Sequence, residues 1–320
     1  MDTSPSKSRG VKIQRRPVHG VLLLDKPLGM SSTQALQKAK WLLRAEKAGH
    51  TGTLDPLATG VLPLCFGAAT KFSQIHLDAD KSYEALLKLG VQTSSADAEG
   101  EVIQTHSVPV LTHEDLMRVA ARLTGPQKQV PPMYSALKKD GKALYEYARA
   151  GQTIEREARD IIIHSLTVTQ TEQVDVLKLV VTCSKGTYIR TLGESVAQEL
   201  GTVGHLVALR RVGTGPFAVN ECIDLNAFEQ LDESSRMRHL KPVQTLLQGD
   251  PCVRLPAQQA GRFLSGVRLS LDPSVQACAR VQVWGEEPHA FLGTAHIQAS
   301  SLIPQRLLSP IEVGQILQTS

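Results

Sequence analysis

The sequence has 320 residues, 42% of them hydrophobic and only 4% aromatic, with a formal net charge of +4. This length allows one large or two unequal domains around a sizeable core, and so mild a positive charge suits a polyanionic partner without demanding one. No run approaches the roughly 18 apolar residues of a membrane span, and the N-terminus lacks the apolar core of a signal peptide.

The first 17 residues carry Lys7, Arg9, Lys12, Arg15 and Arg16 and read as a disordered basic tail, either solvated or touching RNA phosphates. Gly20 to Asp25 reads as a buried strand and Lys26 to Gly29 as a turn. Ser31 or Ser32 then caps a helix whose apolar face is Ala35, Leu36, Ala39, Leu42 and Leu43, and Gly49 is expected to stop it. Lys38, Lys40, Arg44 and Lys47 cover its other side, a pattern more often solvated than RNA-binding. Gly60 to Leu64 is a short apolar run, and Tyr83 to Gly90 looks like a strand. Thr112 and Asp115 form a capping box ahead of Leu116, Val119, Ala120 and Leu123. Leu177 to Cys183 is a further strand, turned by Ser184-Lys185-Gly186. Ile189, Leu192, Val196, Ala197 and Leu200 mark a helix that Gly201 ends.

Strands and helices mix without strict alternation, which favours an α+β fold. The pattern turns irregular and polar over residues 220–250, where a domain junction is expected. Short strand-like runs beyond it predict a small β-rich module of about 70 residues. The five cysteines, Cys65, Cys183, Cys222, Cys252 and Cys278, are odd in number and widely spaced. They read as reduced, mostly buried thiols of a cytosolic protein without structural zinc.

A phosphate-binding P-loop, a dinucleotide fingerprint, Gly-x-Ser-x-Gly and His-Glu-x-x-His are all missing, and the histidines form no metal-ligand spacing. Nothing in the sequence therefore calls for a cofactor or a metal. The segment Gly49-His50-Thr51-Gly52-Thr53-Leu54-Asp55-Pro56-Leu57-Ala58-Thr59-Gly60 stands out, because its glycines, threonines and proline make a shaped loop around one carboxylate. Such a loop can present a functional group from a rigid scaffold. Equally, its aspartate can simply hydrogen-bond its own turn.

This loop resembles the catalytic motif of the TruB pseudouridine synthases, and further blocks match that family in order. They are Gly20 to Lys26 with the Lys26-Pro27 pair, Ala69-Thr70-Lys71-Phe72, Lys81-Ser82-Tyr83-Glu84-Ala85, Asp97 to Val102, Val130 to Lys138, Gly186-Thr187-Tyr188-Ile189-Arg190, and Leu209-Arg210-Arg211. Together they cover residues 20 to about 217. The resemblance implies a pseudouridine synthase fold with a mixed, mainly antiparallel central sheet. It places the catalytic domain at 18–245, a thumb insertion at about 127–158 and a PUA-like RNA-binding domain at 246–320.

The same resemblance implies isomerisation of uridine 55 in the T arm of tRNA, without cofactor or metal, by a cytoplasmic monomer that needs no protein partner. Asp55 matches the essential aspartate, acting as a nucleophile or as a base at the ribose 2′ position. Arg190 matches the family's arginine and would hold that carboxylate charged against burial. Tyr83 would stack on the flipped base. His50, Tyr188 and Leu209 would contact the nucleotide or wall its pocket, and Lys26 would hold the loop or the RNA backbone. The thumb interleaves Lys128, Lys138, Lys139, Lys142, Arg149, Arg156 and Arg159 with Tyr134, Tyr145 and Tyr147, a composition suited to RNA. Two other functions are weighed against this: a tRNA-folding chaperone acting by binding alone, and a glycoside hydrolase, which would need a second catalytic carboxyl group.

Overall fold

A computed structural model of the chain describes residues 14–319. A ten-stranded sheet forms its centre. Its main strands are β1 (Gly20–Lys26), β2 (Ala58–Phe66), β3 (Lys81–Leu89), β4 (Gly125–Gln129), β5 (Arg159–Gln170), β6 (Val176–Cys183), β7 (Gly204–Thr214) and β8 (Ile223–Asp224). They lie in the order β8-β1-β2-β7-β3-β6-β5-β4. Neighbours are antiparallel except β8 with β1 and β7 with β2, so the sheet is mixed and mainly antiparallel, and the α+β expectation holds. β7 is the late arrival, inserted between β2 and β3.

Three helices, α1 (Ser32–Leu42), α2 (His113–Arg122) and α3 (Ile189–Glu199), belong to one core cluster on this sheet. Ser31 caps α1 in a capping box with Gln34, and Thr112 caps α2 with Asp115. All five apolar positions expected of α1 are buried, and each buried leucine contributes about 1.5–3 kcal/mol of transfer free energy. The expected stop at Gly49 is wrong. Arg44 takes φ 53°, and the amides of Arg44 and Ala45 close back on Trp41 and Lys40. The helix thus ends in a Schellman turn without its usual glycine, and Gly49 lies in a short strand, Ala48–His50, paired with β2. The basic side of α1 is only partly free. Lys38 pairs with Glu229 at 2.6 Å, and Arg44 pairs with Glu233.

A second core cluster starts on β1 and β2 (Val21, Leu23, Val61, Cys65) and runs into the C-terminal sheet without a break. That sheet consists of β9 (Cys252–Leu255), β10 (Leu269–Ser270), β11 (Cys278–Gly285), β12 (Ala290–Gln298) and β13 (Ser301–Leu307), in the order β9-β11-β12-β13-β10. The module also holds two helices, α4 (Ala257–Leu264) and α5 (Pro310–Thr319), which short β runs could not announce. Phe72 meets Phe291 at 5.3 Å between ring centroids, and Lys71 pairs with Glu312 at 2.6 Å. The polar stretch before the module forms two short helices, Leu225–Gln230 and Glu233–Arg238, that pack back on the first domain.

Other expectations need adjusting. Lys7, Arg9 and Lys12 of the basic tail lie outside the described residues. Arg15 and Arg16, however, are tied down, by a hydrogen bond to Ala45 O and an ion pair to Glu233 at 2.8 Å. Of the five free cysteines only Cys65 and Cys183 are buried, while Cys252 is exposed.

Candidate active site

The segment 51–57 leaves the strand Ala48–His50 and returns as β2, so both ends are fixed by the sheet. Its middle is fixed by Ser32, a buried residue in the first turn of α1. Ser32 Oγ accepts from Leu54 N at 2.7 Å and donates to Leu54 O at 3.0 Å. Gly29 N donates to Pro56 O and Ala58 N to Asp55 O. β2 can pass close beside β7 only because residue 60 is glycine. With φ 104°, a Cβ there would come 2.1 Å from Arg211 O. These restraints present Asp55 from a well-tied turn at the start of an inner strand of the central sheet.

Arg190 comes from the first turn of α3 and is the hub of the site. Its side chain is 5% exposed, and one nitrogen lies 2.8 Å from Asp55 Oδ2. The guanidinium also donates to Ser95 O at 2.8 Å and Tyr134 O at 2.6 Å, and sits 3.4 Å from Asp97 Oδ2. A cation at a helix N-terminus opposes the helix dipole; two carboxylates offset that here. Asp97 is buried and held in turn, since Ser95 Oγ donates to its Oδ1 at 2.5 Å and Glu99 N at 3.1 Å. Ala96, between them, takes φ 60°, a conformation costly for alanine that places Ser95 O and the Asp97 carboxylate on one side.

Burial pushes the Asp55 carboxyl above the ordinary aspartate value; Arg190 and Lys26 pull it back and Asp97 adds to the rise. Arg190 thus opposes the effect of burial on this carboxyl without cancelling it. The Asp55 side chain keeps 39% of its surface open to water.

Tyr83 lies on the buried side of β3 together with Ala85 and Leu87. Its cross-strand neighbours are Val181 on β6 and Arg211 on β7. Burial raises the phenol's pKa, and the nearby Arg211 charge works against that. Leu209 is 9% exposed, between Ala58 and Ala85 in the sheet register. Tyr188 is half-buried one residue before α3, its backbone bracketed by the Gln129 side chain. His50 is half-buried at the end of its strand, and burial lowers its pKa. Lys26 is fully buried, with Nζ on Pro27 O at 2.8 Å and Met30 O at 2.5 Å. Burial lowers its pKa to about 8, and its contacts hold the turn that faces Pro56.

The structure thus gathers Asp55, Arg190, Tyr83 and Lys26 into one electrostatic neighbourhood. It adds Asp97 and Arg211, which stood in recognisable blocks without a role of their own. Their burial was the missing signal. Between β4 and β5 the chain forms a small hairpin, Lys138–Lys139 with Lys142–Ala143, and a short helix, Leu144–Arg149. Two of its cations already sit on rings, Lys142 over Tyr147 at 4.5 Å and Arg149 over Tyr145 at 5.4 Å. Among the described residues no group of three or more His, Cys, Asp or Glu could hold a metal ion, and no helix is long and apolar enough to cross a membrane.

Residues 40–189 match the family described as TruB family pseudouridylate synthase, N terminal domain. Residues 190–248 match the tRNA pseudouridylate synthase B C-terminal domain, and residues 251–308 match the C-terminal part of pseudouridine synthase II TruB. A tRNA pseudouridine synthase B of Verminephrobacter eiseniae (strain EF01-2) is 55% identical over 319 residues, 98% of this chain and 95% of the relative. The chain belongs to the TruB family of pseudouridine synthases. The synthase of the same name from Ralstonia nicotianae is 53% identical over 312 residues, 96% of this chain and 99% of the relative. In solved structures the fold recurs in a chain of a Cbf5-Nop10-Gar1 complex, with TM-score 0.70 and 23% identity over 94% of this chain and 87% of that one. It recurs also in an H/ACA RNP bound to a substrate RNA containing 2'-deoxyuridine, with TM-score 0.69 and 21% identity over 93% of this chain and 86% of that one. Asp55, Tyr83 and Arg190 of this TruB-family chain come from the loop before β2, from β3 and from α3. All three belong to or adjoin the span that the N-terminal family description covers.

Proposed function

We propose that this enzyme converts uridine 55 in the T arm of tRNA to pseudouridine, with Asp55 as its catalytic carboxylate. The observation that carries the reading is the 2.8 Å pairing of a half-open Asp55 with a buried Arg190, beside Tyr83, in a chain of the TruB family. In the reaction the N1–C1′ bond breaks, the base turns, a C5–C1′ bond forms, and the C5 proton is lost while N1 gains one. Atoms and charge balance without a cofactor. Asp55 serves as nucleophile or as the base at the 2′ position, and Arg190 limits the rise of its pKa. Tyr83 stacks on the flipped base, a contact worth about 1–3 kcal/mol. That offsets the few kcal/mol of unstacking. Leu209, Tyr188 and His50 wall the pocket, and Lys26 supports the turn. The domain limits follow the same reading: catalytic domain 18–245, thumb about 127–158, PUA-like RNA-binding module 246–320. The enzyme acts as a monomer, in the cytoplasm, without a protein partner.

The decisive test is incubation with an unmodified tRNA transcript followed by mapping of pseudouridine. Product at position 55 supports the reading, and its absence overturns it. Tyr83→Phe keeps the ring and removes the hydroxyl. Affinity for the tRNA is expected to stay within about threefold, because stacking supplies the contact. A fall in single-turnover rate of about tenfold or more then assigns the hydroxyl to proton removal; an unchanged rate leaves stacking as the sole role. Lys138, Lys139 and Arg149 are exposed in the thumb segment. Binding is therefore expected to weaken with salt, by a log–log slope of about 0.7–0.9 for every phosphate engaged. An affinity equal at low and high salt would remove the thumb from RNA binding.

A further inference from the structure

We infer that Arg211, with the His50–Gly52 turn lying over it, is a binding site for a backbone phosphate of the RNA next to the nucleotide on which Asp55 acts. The inference rests on the RNA reading given above.

Arg211 is 1% exposed, among the most buried of the large side chains. A guanidinium has five N–H donors and always carries its charge. Arg211 Nε donates to Val61 O at 2.7 Å, and the guanidinium also hydrogen-bonds the Tyr83 side chain. Nη2 is buried with no partner, and among the described residues no carboxylate pairs with Arg211. The contrast with Arg190 is direct, since Arg190 is as deeply buried but faces two carboxylates and two carbonyls. A buried charge without a counter-ion is strongly unfavourable, so Arg211 leaves a charge for something else to neutralise.

Its surroundings intensify the demand. Lys81 is 8% exposed, with Nζ held by Leu77 O at 2.6 Å and Ala79 O at 2.5 Å. The Arg211 charge also bears on His50, His76 and Lys26. The turn above Arg211 has vacant polar atoms of its own. Thr51 Oγ1 is buried without a hydrogen-bond partner, as is His50 Nδ1, although the His50 ring also meets the Gly52 backbone. Residue 52 is glycine at φ 97°, and a Cβ there would sit 3.5 Å from Arg211 Nη1. Any side chain at 52 would crowd that nitrogen, and glycine adds no such cover. A guanidinium nitrogen, a hydroxyl and an imidazole nitrogen left without partners in this one part of the fold match a phosphate, which takes paired N–H donors and accepts on several oxygens. A phosphodiester flanking a base-flipped uridine supplies that anion.

The test measures equilibrium binding of a T-arm hairpin RNA to the whole enzyme across a salt series. Arg211→Gln is expected to weaken binding about tenfold and to lower the log–log salt slope by about 0.7–0.9, the signature of one phosphate. Arg211→Lys is expected to keep the slope and lose part of the affinity. Because Arg211→Gln could fail to fold, a second arm uses the unaltered enzyme. Phosphodiesters flanking the target uridine are replaced one at a time by neutral methylphosphonates. One replacement is expected to weaken binding about tenfold in the wild type and to have no further effect in folded Arg211→Gln. A wild type that makes pseudouridine but is indifferent to every neutral linkage overturns this inference and leaves the proposed function standing. So does a folded Arg211→Gln enzyme with unchanged affinity and slope, even if its turnover falls. A wild type that makes no pseudouridine refutes the function itself.

Discussion

Asp55→Asn is expected to abolish pseudouridine formation while the enzyme stays folded and the tRNA stays bound. Asparagine matches the shape of aspartate but can neither attack carbon nor take a proton. Loss of a catalytic group of this kind typically lowers turnover by about 10⁴-fold or more. The fold tolerates the change because the hub survives. Arg190 keeps Asp97, Ser95 O and Tyr134 O as partners. The contact itself changes little in shape, since the asparagine carbonyl oxygen can still accept from Arg190, and 39% of the Asp55 side chain already faces water. Mapping of pseudouridine in an unmodified transcript, alongside tRNA binding, checks both halves. Turnover within about tenfold of wild type would remove Asp55 from the chemistry. Retained binding and tRNA refolding by the inactive variant would show that a chaperone role coexists with catalysis.

Arg190→Lys is the second large effect, and its size comes from geometry, not charge. Lysine keeps the positive charge but not the planar fork. Arg190 serves four groups from three parts of the chain: Asp55, Ser95 with Asp97, and Tyr134. One ammonium at the end of a flexible stem cannot reach them all. Each hydrogen bond to a charged group that is lost costs about 1.5–3 kcal/mol, so both a lower melting temperature and a fall in kcat/KM of about 100-fold are expected. The pH profile separates this from mere loosening. The Asp55 carboxyl must be ionised to act, and burial already raises its pKa above the ordinary aspartate value. Activity should therefore fall on acidification at a higher pH than a free aspartate would give. With Arg190 replaced, the opposing pull weakens, the pKa rises further, and the acid limb moves to still higher pH. Near-wild-type turnover in a folded Arg190→Lys enzyme, or an acid limb that stays put, would contradict the account.

Much of this architecture could be read from the sequence where the signal is local. Ser31 and Thr112 announce their helices because a cap needs only the next three residues. Gly201, at φ 78°, ends α3 as expected. The end of α1 was hidden because Arg44 adopts a left-handed conformation that sequence assigns to glycine. Of the candidate site, Asp55, Tyr83 and Arg190 were legible as members of ordered blocks, whereas the roles of Asp97 and Arg211 depend on tertiary approach. Asp97 becomes a partner of Arg190 only when the segment around Ala96 docks on β7, through Leu206 N to Ala96 O and Ala98 N to Leu206 O. Lys26 illustrates the converse. The sequence left Lys26 holding either the loop or the RNA backbone, and only the curl of the Lys26–Met30 turn buries its nitrogen against its own chain. The continuous core joining β1 and β2 to the C-terminal sheet was equally invisible, since periodicity tells which face is apolar but not what will cover it.

The late insertion of β7 also sets a schedule for synthesis. β2, which follows the Asp55 loop, and β3, which carries Tyr83, are made early but are never hydrogen-bonded to each other; β7 joins them. A nascent chain that stops before Gly204 thus holds its aspartate and its tyrosine on two separate pieces of sheet. Pairings across so long a stretch of chain form slowly, and the open edges of β2 and β3 are meanwhile available to other strands. Until β7 is made, the strand after the Asp55 loop and the strand that carries Tyr83 have no hydrogen-bonded link between them.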